Sequence, residues 1–406
     1  MATESAGEFS MIKNLVTQAR MATLRLLLVY ATMVVMLVTT GQQAAAATSL
    51  QLQDGITLTF EGGQMDFTTG SGQLFDVTVE EYGDAILFAE QVEIAAEGTP
   101  GSDDWLIRDL RARNVELAEE MIFIGDLVVR ELNMGAASND EALNDISQIF
   151  GEGGFMRLRN VSVAEDDVLM TIDEMATEPF RFGALDDGTV VMARGGVTIN
   201  GLSLMPMGSD AEYAEFLERL RARGVDALVM DMKLIAGTRI VGPELEVFYV
   251  MGGDMRGLGS FELDIEVGIN SSLYAQLVPQ LQDPDSSSTA LLGMTSAAYL
   301  RSAGLVYHDT GIGDIILEVA AEEDGVATED MRSMMRVMLA ESIRGTFPEN
   351  ASWMLPPLDA TLKAGGRLEI AMDPPSAVPL SSMIGFLMLP DLAIQQLGLD
   401  ISHRPN

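Results

Sequence analysis

Arg111-Ala112-Arg113-Asn114-Val115-Glu116-Leu117-Ala118-Glu119 returns 46 residues later as Arg157-Leu158-Arg159-Asn160-Val161-Ser162-Val163-Ala164-Glu165. Both copies place apolar residues at alternate positions, Val115 and Leu117 in one, Val161 and Val163 in the other. Alternation of period two makes a strand with one buried face. Each copy is followed by a second β-like run, MIFIGDLVVREL and DVLMTIDEM. A repeat of this size reads as one supersecondary unit stacked on a like neighbour.

The strand texture extends outward from the repeat. LQLQ-DG-ITLTFE alternates on both sides of Asp54-Gly55, a dipeptide suited to a tight hairpin. Further turns are expected at Gly62-Gly63, Gly70-Ser71-Gly72 and Gly83-Asp84. Strand-like segments continue at 189–192, 196–204, 227–250 and 260–267. Within them Ser209-Asp210-Ala211-Glu212 is a capping box, Tyr213, Phe216, Leu217 and Leu220 form a stripe, and Gly224 fits a helix end. Residues 48–269 are therefore expected to form a β-rich antiparallel domain with a helix inserted near 209–224. After 270 helical patterns dominate, with strands at AGLVYHD and 367–372, so residues 270–406 are expected to be a helix-rich α+β part.

Lys13, Arg20 and Arg25 precede the apolar run Leu26 to Val38, and small residues follow at Ala44 to Ala47. This is the order of a cleavable signal peptide over residues 1–47, with Met1, Met11 or Met21 as the start. The apolar run is shorter than the roughly 20 residues that span a bilayer, so the expected location is the periplasm or outside the cell. An uncleaved anchor in the inner membrane is the alternative. Removing residues 1–47 takes away three of 24 basic and two of 61 acidic residues, leaving a net charge of −38. Such a surface repels nucleic acid and anionic headgroups, leaving at most a peripheral contact with membranes. The chain has no cysteine, so disulfides are excluded.

His308-Asp309 is the first constellation to weigh for chemistry. Neighbours on a strand point to opposite faces, so these two cannot easily orient one another as base and partner. The pair is expected to be a polar strand end, and no enzyme activity or cofactor is expected. One internal histidine without cysteine builds no transition-metal site. Glu322-Glu323-Asp324-Gly325 and Asp283-x-Asp285 leave calcium open, although neither has the EF-hand spacing. The remaining candidates are apolar: Met331, Met334, Met335 and Met338 cluster along one predicted helix. Methionine suits surfaces that must fit irregular apolar partners, and the four are the expected ligand contacts.

A secretory leader followed by amphipathic strands with the repeated Arg-Asn-Val openings at 113–115 and 159–161 resembles the AsmA-like bacterial envelope proteins. Their β-layers are similar to those of bridge-like lipid-transfer proteins. The resemblance spans residues 50 to 268 and implies a β-layer with an apolar concave face. It carries over no active-site residue. What it implies is a non-enzymatic periplasmic protein that holds lipid or another hydrophobic ligand in envelope assembly or transport. The competing expectation is a scaffold with a closed core, whose acidic surface meets a basic envelope partner.

Overall fold

On a regular strand inward side chains recur every second residue, so inward residues three apart mark a break in the pleat. The first half of this chain carries that break on strand after strand. The computed structural model describes residues 44–45, 48–53, 56–66, 69–98, 105–117, 121–133, 146–165, 168–206, 211–282, 287–386 and 389–406. Apart from Ala44 and Ala45, the expected leader lies outside the described residues, as do Asp54-Gly55, Ser209-Asp210, Asp283 and Asp285. The chain divides at Phe180/Arg181 into two units.

The first unit is an antiparallel meander. Its strands are β1 (Ala44–Ala45), β2 (Thr48–Gln53), β3 (Ile56–Asp66), β4 (Ser71–Glu81) and β5 (Asp84–Gly98). They continue as β6 (Trp105–Leu117), β7 (Ile122–Asn133), β8 (Phe150–Glu165) and β9 (Val168–Thr177), with the one-turn helix α1 (Ile146–Ile149) before β8. From β2 onward each strand pairs with the next, and β1 lies against β3. The repeat openings fall on β6 and β8, as alternation requires.

The break explains the repeat. Phe60, Val77, Ala89, Val115, Ile124, Val161 and Ile172 form one inward row from β3 to β9, and all are buried. The next inward row runs through Leu74, Val92, Ala112, Leu127 and Leu158, three residues away on each strand. Between them the ladder passes over Glu61, Asp76, Glu90, Asn114, Gly125, Asn160 and Asp173 without losing register. Asp76, Asn114 and Asn160 have φ of 49°, 48° and 51°, the left-handed region that Asn and Asp enter at least cost. Gly125 sits opposite Asn160, where an added Cβ would come within 3.0 Å of the Asn160 Cβ. The row is a crease running across seven strands. It also reveals a third copy of the repeat, Gln73-Leu74-Phe75-Asp76-Val77-Thr78-Val79-Glu80-Glu81 on β4. Gly62-Gly63, expected as a turn, instead lies inside β3 at this crease.

Both arms of the creased sheet carry buried side chains: Leu58, Val77 and Val115 on one, Ile107 and Val129 on the other, all 0% exposed. Among the described residues this unit has no helix longer than α1 to cover them. Among the described residues, burial on both arms therefore comes without a covering helix.

The second unit begins with β10 (Arg181–Ala184), β11 (Val190–Pro206), α2 (Ala211–Ala222), β12 (Val229–Val241), β13 (Glu244–Met255) and β14 (Gly259–Asn270). It goes on through α3 (Ser271–Gln282), α4 (Ser287–Ala297), β15 (Tyr299–Asp309), α5 (Ile312–Glu323), α6 (Thr328–Thr346) and α7 (Ala351–Ala364). It closes with β16 (Gly366–Met372), β17 (Val378–Pro379), α8 (Ser382–Phe386), α9 (Pro390–Leu397) and β18 (Leu399–Arg404). All pairings are antiparallel, in the order β10, β11, β12, β13, β14, β15, β16, β18, with β17 beside the start of β15.

The helix-rich reading of residues 270–406 is corrected here, because strands run to Arg404 and complete the sheet. The expected boundary at 269/270 falls inside the second unit, where β14 pairs with β15 across the intervening α3 and α4. The error has a local cause: three helices separate β15 from β16 and two short ones separate β16 from β18, so windowed periodicity sees helices and misses the pairing. The inserted helix is present as α2. Leu220 at 0% exposure anchors it, and it ends where Gly224 takes φ 78° and Val225 N–H bonds back to Leu220 O at 3.0 Å.

Candidate functional site

The β12–β18 sheet has two chemically opposite faces. Antiparallel partners share a face, so the register can be followed sideways from strand to strand. One such row reads Leu234, Met251, Leu263, Leu305, Ile370 and Ile401, apolar at every strand. The next row on the same face reads Ala236, Tyr249, Ile265, Ala303, Met372 and Leu399. Between these rows, on the other face, lies a row of Ile235, Val250, Asp264, Gly304, Ala371 and Asp400.

The polar face is crossed by ion pairs. Lys233 meets Glu262, Arg256 grips Asp231 with two bonds of 2.8 and 2.9 Å, and Arg239 reaches Glu266 at 3.3 Å. Glu246 is 5% exposed and is paired with Arg301 and, at 3.5 Å, with Arg239. Tyr299 donates its hydroxyl to Glu244 at 2.6 Å, and burial together with that carboxylate pushes its phenol up to about 12. A cleft of about 540 Å³ opens beside Tyr299, Arg301, Glu244, Glu266 and Asp373. Tyr299, Arg301, Glu244 and Glu266 are paired with one another or with neighbouring charges, and Leu300, Pro374 and Ala377 contribute to the lining.

Helices pack against this sheet in several places, α7 among them against β16 and β18. α3 and α4 pack around Leu245 and Ile269, and α8 and α9 place Met383, Ala393 and Leu397 against Leu300, Ile265 and Met372. At the other end Leu220 of α2 and Ile315 of α5 enclose Leu258 and Met255. Between these clusters the cover is incomplete on β12 and β13: Leu234 and Tyr249 are each 47% exposed and Met251 is 37% exposed. Across the sheet from them Leu263, Leu305, Ile370 and Ile401 are half-buried. Burial, with Asp309 nearby, pushes the Tyr307 phenol on this face up to about 12, as expected where water is scarce. The open part of this face presents Leu234, Tyr249 and Met251 to solvent.

The methionines read as one stripe are split by the packing. Met331 is core, 6% exposed against Leu317 and Ala321 of α5, whereas Met334, Met335 and Met338 are exposed. Helix α6 packs on α5 and α7, tied by Arg336 to Asp359 with bonds of 2.6 and 2.9 Å and by Arg332 to Asp314 at 2.8 Å. Helical spacing identified the stripe, but not which edge of it the neighbours would take.

His308 and Asp309 point to opposite faces, as their alternation requires. His308 Nε2 lies 2.8 Å from Asn406 Oδ1. Asp309 Oδ1 accepts the backbone N–H groups of Gly311 and Gly313 at 2.9 and 3.2 Å, fixing the start of α5. Among the described residues no three His, Asp or Glu side chains gather as metal ligands, and Glu322 is engaged with Arg219.

The residues of the apolar face escaped the sequence reading. Each strand's alternation was visible, but the row joins Leu234 to Ile401, far apart in sequence. No described helix is long and apolar enough to cross a membrane. A family model described as an uncharacterized protein matches residues 253–404, from the end of β13 through β18. No curated protein matches the chain.

Proposed function

We propose that the protein is an exported, non-enzymatic carrier that holds a lipid chain or similar hydrophobic ligand on the apolar face of β12–β18, in envelope assembly or transport. The observation that supports this reading is the continuous apolar row left partly uncovered at Leu234, Tyr249 and Met251. Burying such side chains against an acyl chain gains roughly 25 cal/mol per Å² of apolar surface removed from water. The contact is non-directional and fits one chain as well as another of similar shape. The closed-core alternative suits the first unit, whose inner face is already covered, better than the second.

The test combines extraction with titration. Protein recovered from an envelope fraction, with Thr48 as its first residue by N-terminal sequencing, should yield lipid to organic solvent by mass spectrometry. A fluorescent fatty-acid probe should bind it. Met251→Asp should weaken the probe at least tenfold while leaving the urea midpoint nearly unchanged, since Met251 already meets water. Extracts free of lipid together with a probe that ignores the substitution would turn the reading over to a scaffold role.

A further inference from the structure

The stretch from residue 48 to 180 holds 28 acidic residues and six basic ones, and all six are arginine. They are Arg108, Arg111, Arg113, Arg130, Arg157 and Arg159, carried by the adjacent strands β6, β7 and β8. Chance placement in so acidic a segment would scatter them. Register instead sets Arg111 and Arg157 on either side of Val128 in one outward row, and Arg113 and Arg159 on either side of Asp126 in the next. Strands two apart lie about 10 Å from each other, so like charges are held close enough to repel unless an anion stands between them.

The second of these rows has its anions. Asp126 lies 3.8 Å from Arg113, and Glu174 lies 2.6 Å from Arg159. The row around Val128 is short of them. Arg111 and Arg130 share the single carboxylate of Asp109, each at 2.8 Å, and Glu93, opposite Arg111 and acting on it electrostatically, is hydrogen-bonded by Gln73 and Gln91, so three guanidinium groups face two carboxylates. Arg157 Nε is shielded from water and has no hydrogen-bond partner. Buried donors of this kind are rare because the unmade bond is costly. The floor is preformed: Val128 points outward yet is only 8% exposed, and Arg130 is held over the Phe155 ring at 5.1 Å.

We propose that Arg111, Arg130 and Arg157 form a binding site for a phosphate group, whether inorganic phosphate or the phosphate of a lipid headgroup. Guanidinium forks match the geometry of phosphate oxygens, which a lysine array would meet only as point charges. A dianion over Val128 supplies counter-charge between the guanidinium groups of Arg111 and Arg157. In a chain of net charge −37, this is where an anion finds donors arranged to receive it. The site is independent of the apolar face, so Met251→Asp should leave it unaffected.

The experiment is calorimetric titration of the full chain with inorganic phosphate at low salt, beside flotation with phosphatidylglycerol and with phosphatidylcholine vesicles. Arg111→Gln/Arg157→Gln should bind at least tenfold more weakly, and Arg108→Gln, on the same strand but outside the row, should match the native chain. Circular dichroism checks that each variant is folded, and Arg157→Lys, which keeps the charge but loses the fork, should fall between if the double variant does not fold. Phosphate binding without vesicle binding identifies a soluble oxyanion, and binding to phosphatidylglycerol vesicles alone identifies a headgroup; either supports the site. Native protein that binds neither, or equal weakening by Arg108→Gln, overturns it.

Discussion

The creased sheet of β3–β9 and the even sheet of β12–β18 solve one problem in two ways. Each has an apolar face that must leave water. In the first, a left-handed residue on every second strand breaks the pleat at a common line, and the two arms bury Val115 and Val129 to 0% exposure. In the second, β12, β13 and β14 pair without interruption from Met230↔Met255 to Val241↔Glu244 and from Met255↔Gly259 to Glu244↔Asn270. A sheet without a crease cannot cover itself, so helices are brought in. They cover the ends of its apolar face and leave part of β12 and β13 open. Burial therefore goes with a creased backbone in one unit and with helix placement in the other.

The sharpest way to break this contrast is to remove equal side chains from the two faces. Leu127→Ala empties a fully buried position and should cost about 2–5 kcal/mol in a urea melt, whereas Leu234→Ala should cost about 1 kcal/mol or less. Equal losses would mean that the second face is covered in solution. The next effect belongs to the crease. Asn160→Val forces a β-branched residue into positive φ and should cost about 1–2 kcal/mol, while Asn160→Gly should change stability by a few tenths only. Should the valine be tolerated, the crease is not set by local conformation.

The smallest effect separates the units by acid. The guanidinium of Arg336 holds the Asp359 carboxyl below its ordinary value of 3.8. A lowered folded-state value means that the pair contributes fully above that ordinary value and loses its contribution as pH falls through the folded one. Protection factors in α6, corrected for the intrinsic pH dependence of exchange, should therefore fall below about pH 4, while the apolar rows of β6 and β7 keep theirs. Uniform loosening of both units would show that the helical layer is not tied by this pair.

Much of the first sheet could be read from the sequence, because alternation and the Arg-Asn-Val openings are local signals. The third copy on β4 was missed since Gln73 and Phe75 replace the arginines; the informative feature was Asn or Asp before Val, the residue type that tolerates left-handed φ. The second sheet was misjudged because its partners are separated by helices, and because an apolar row exists only once register is known. The methionine stripe was legible only in part, for a related reason. Periodicity gives the faces of a helix, and packing alone decides that Met331 turns inward while Met338 does not.

The crease also bears on how such a chain can change in length. Register is preserved on both sides of the break, so each hairpin meets its neighbours through the same spacing of inward residues. A further hairpin could be spliced in, or one deleted, provided that one of its strands carries Asn or Asp and the other a compatible partner at the crossing. The two recognisable copies on β6 and β8 and the disguised one on β4 are what serial duplication with drift would leave behind. A sheet of this design can be widened one hairpin at a time without disturbing the pairs already made.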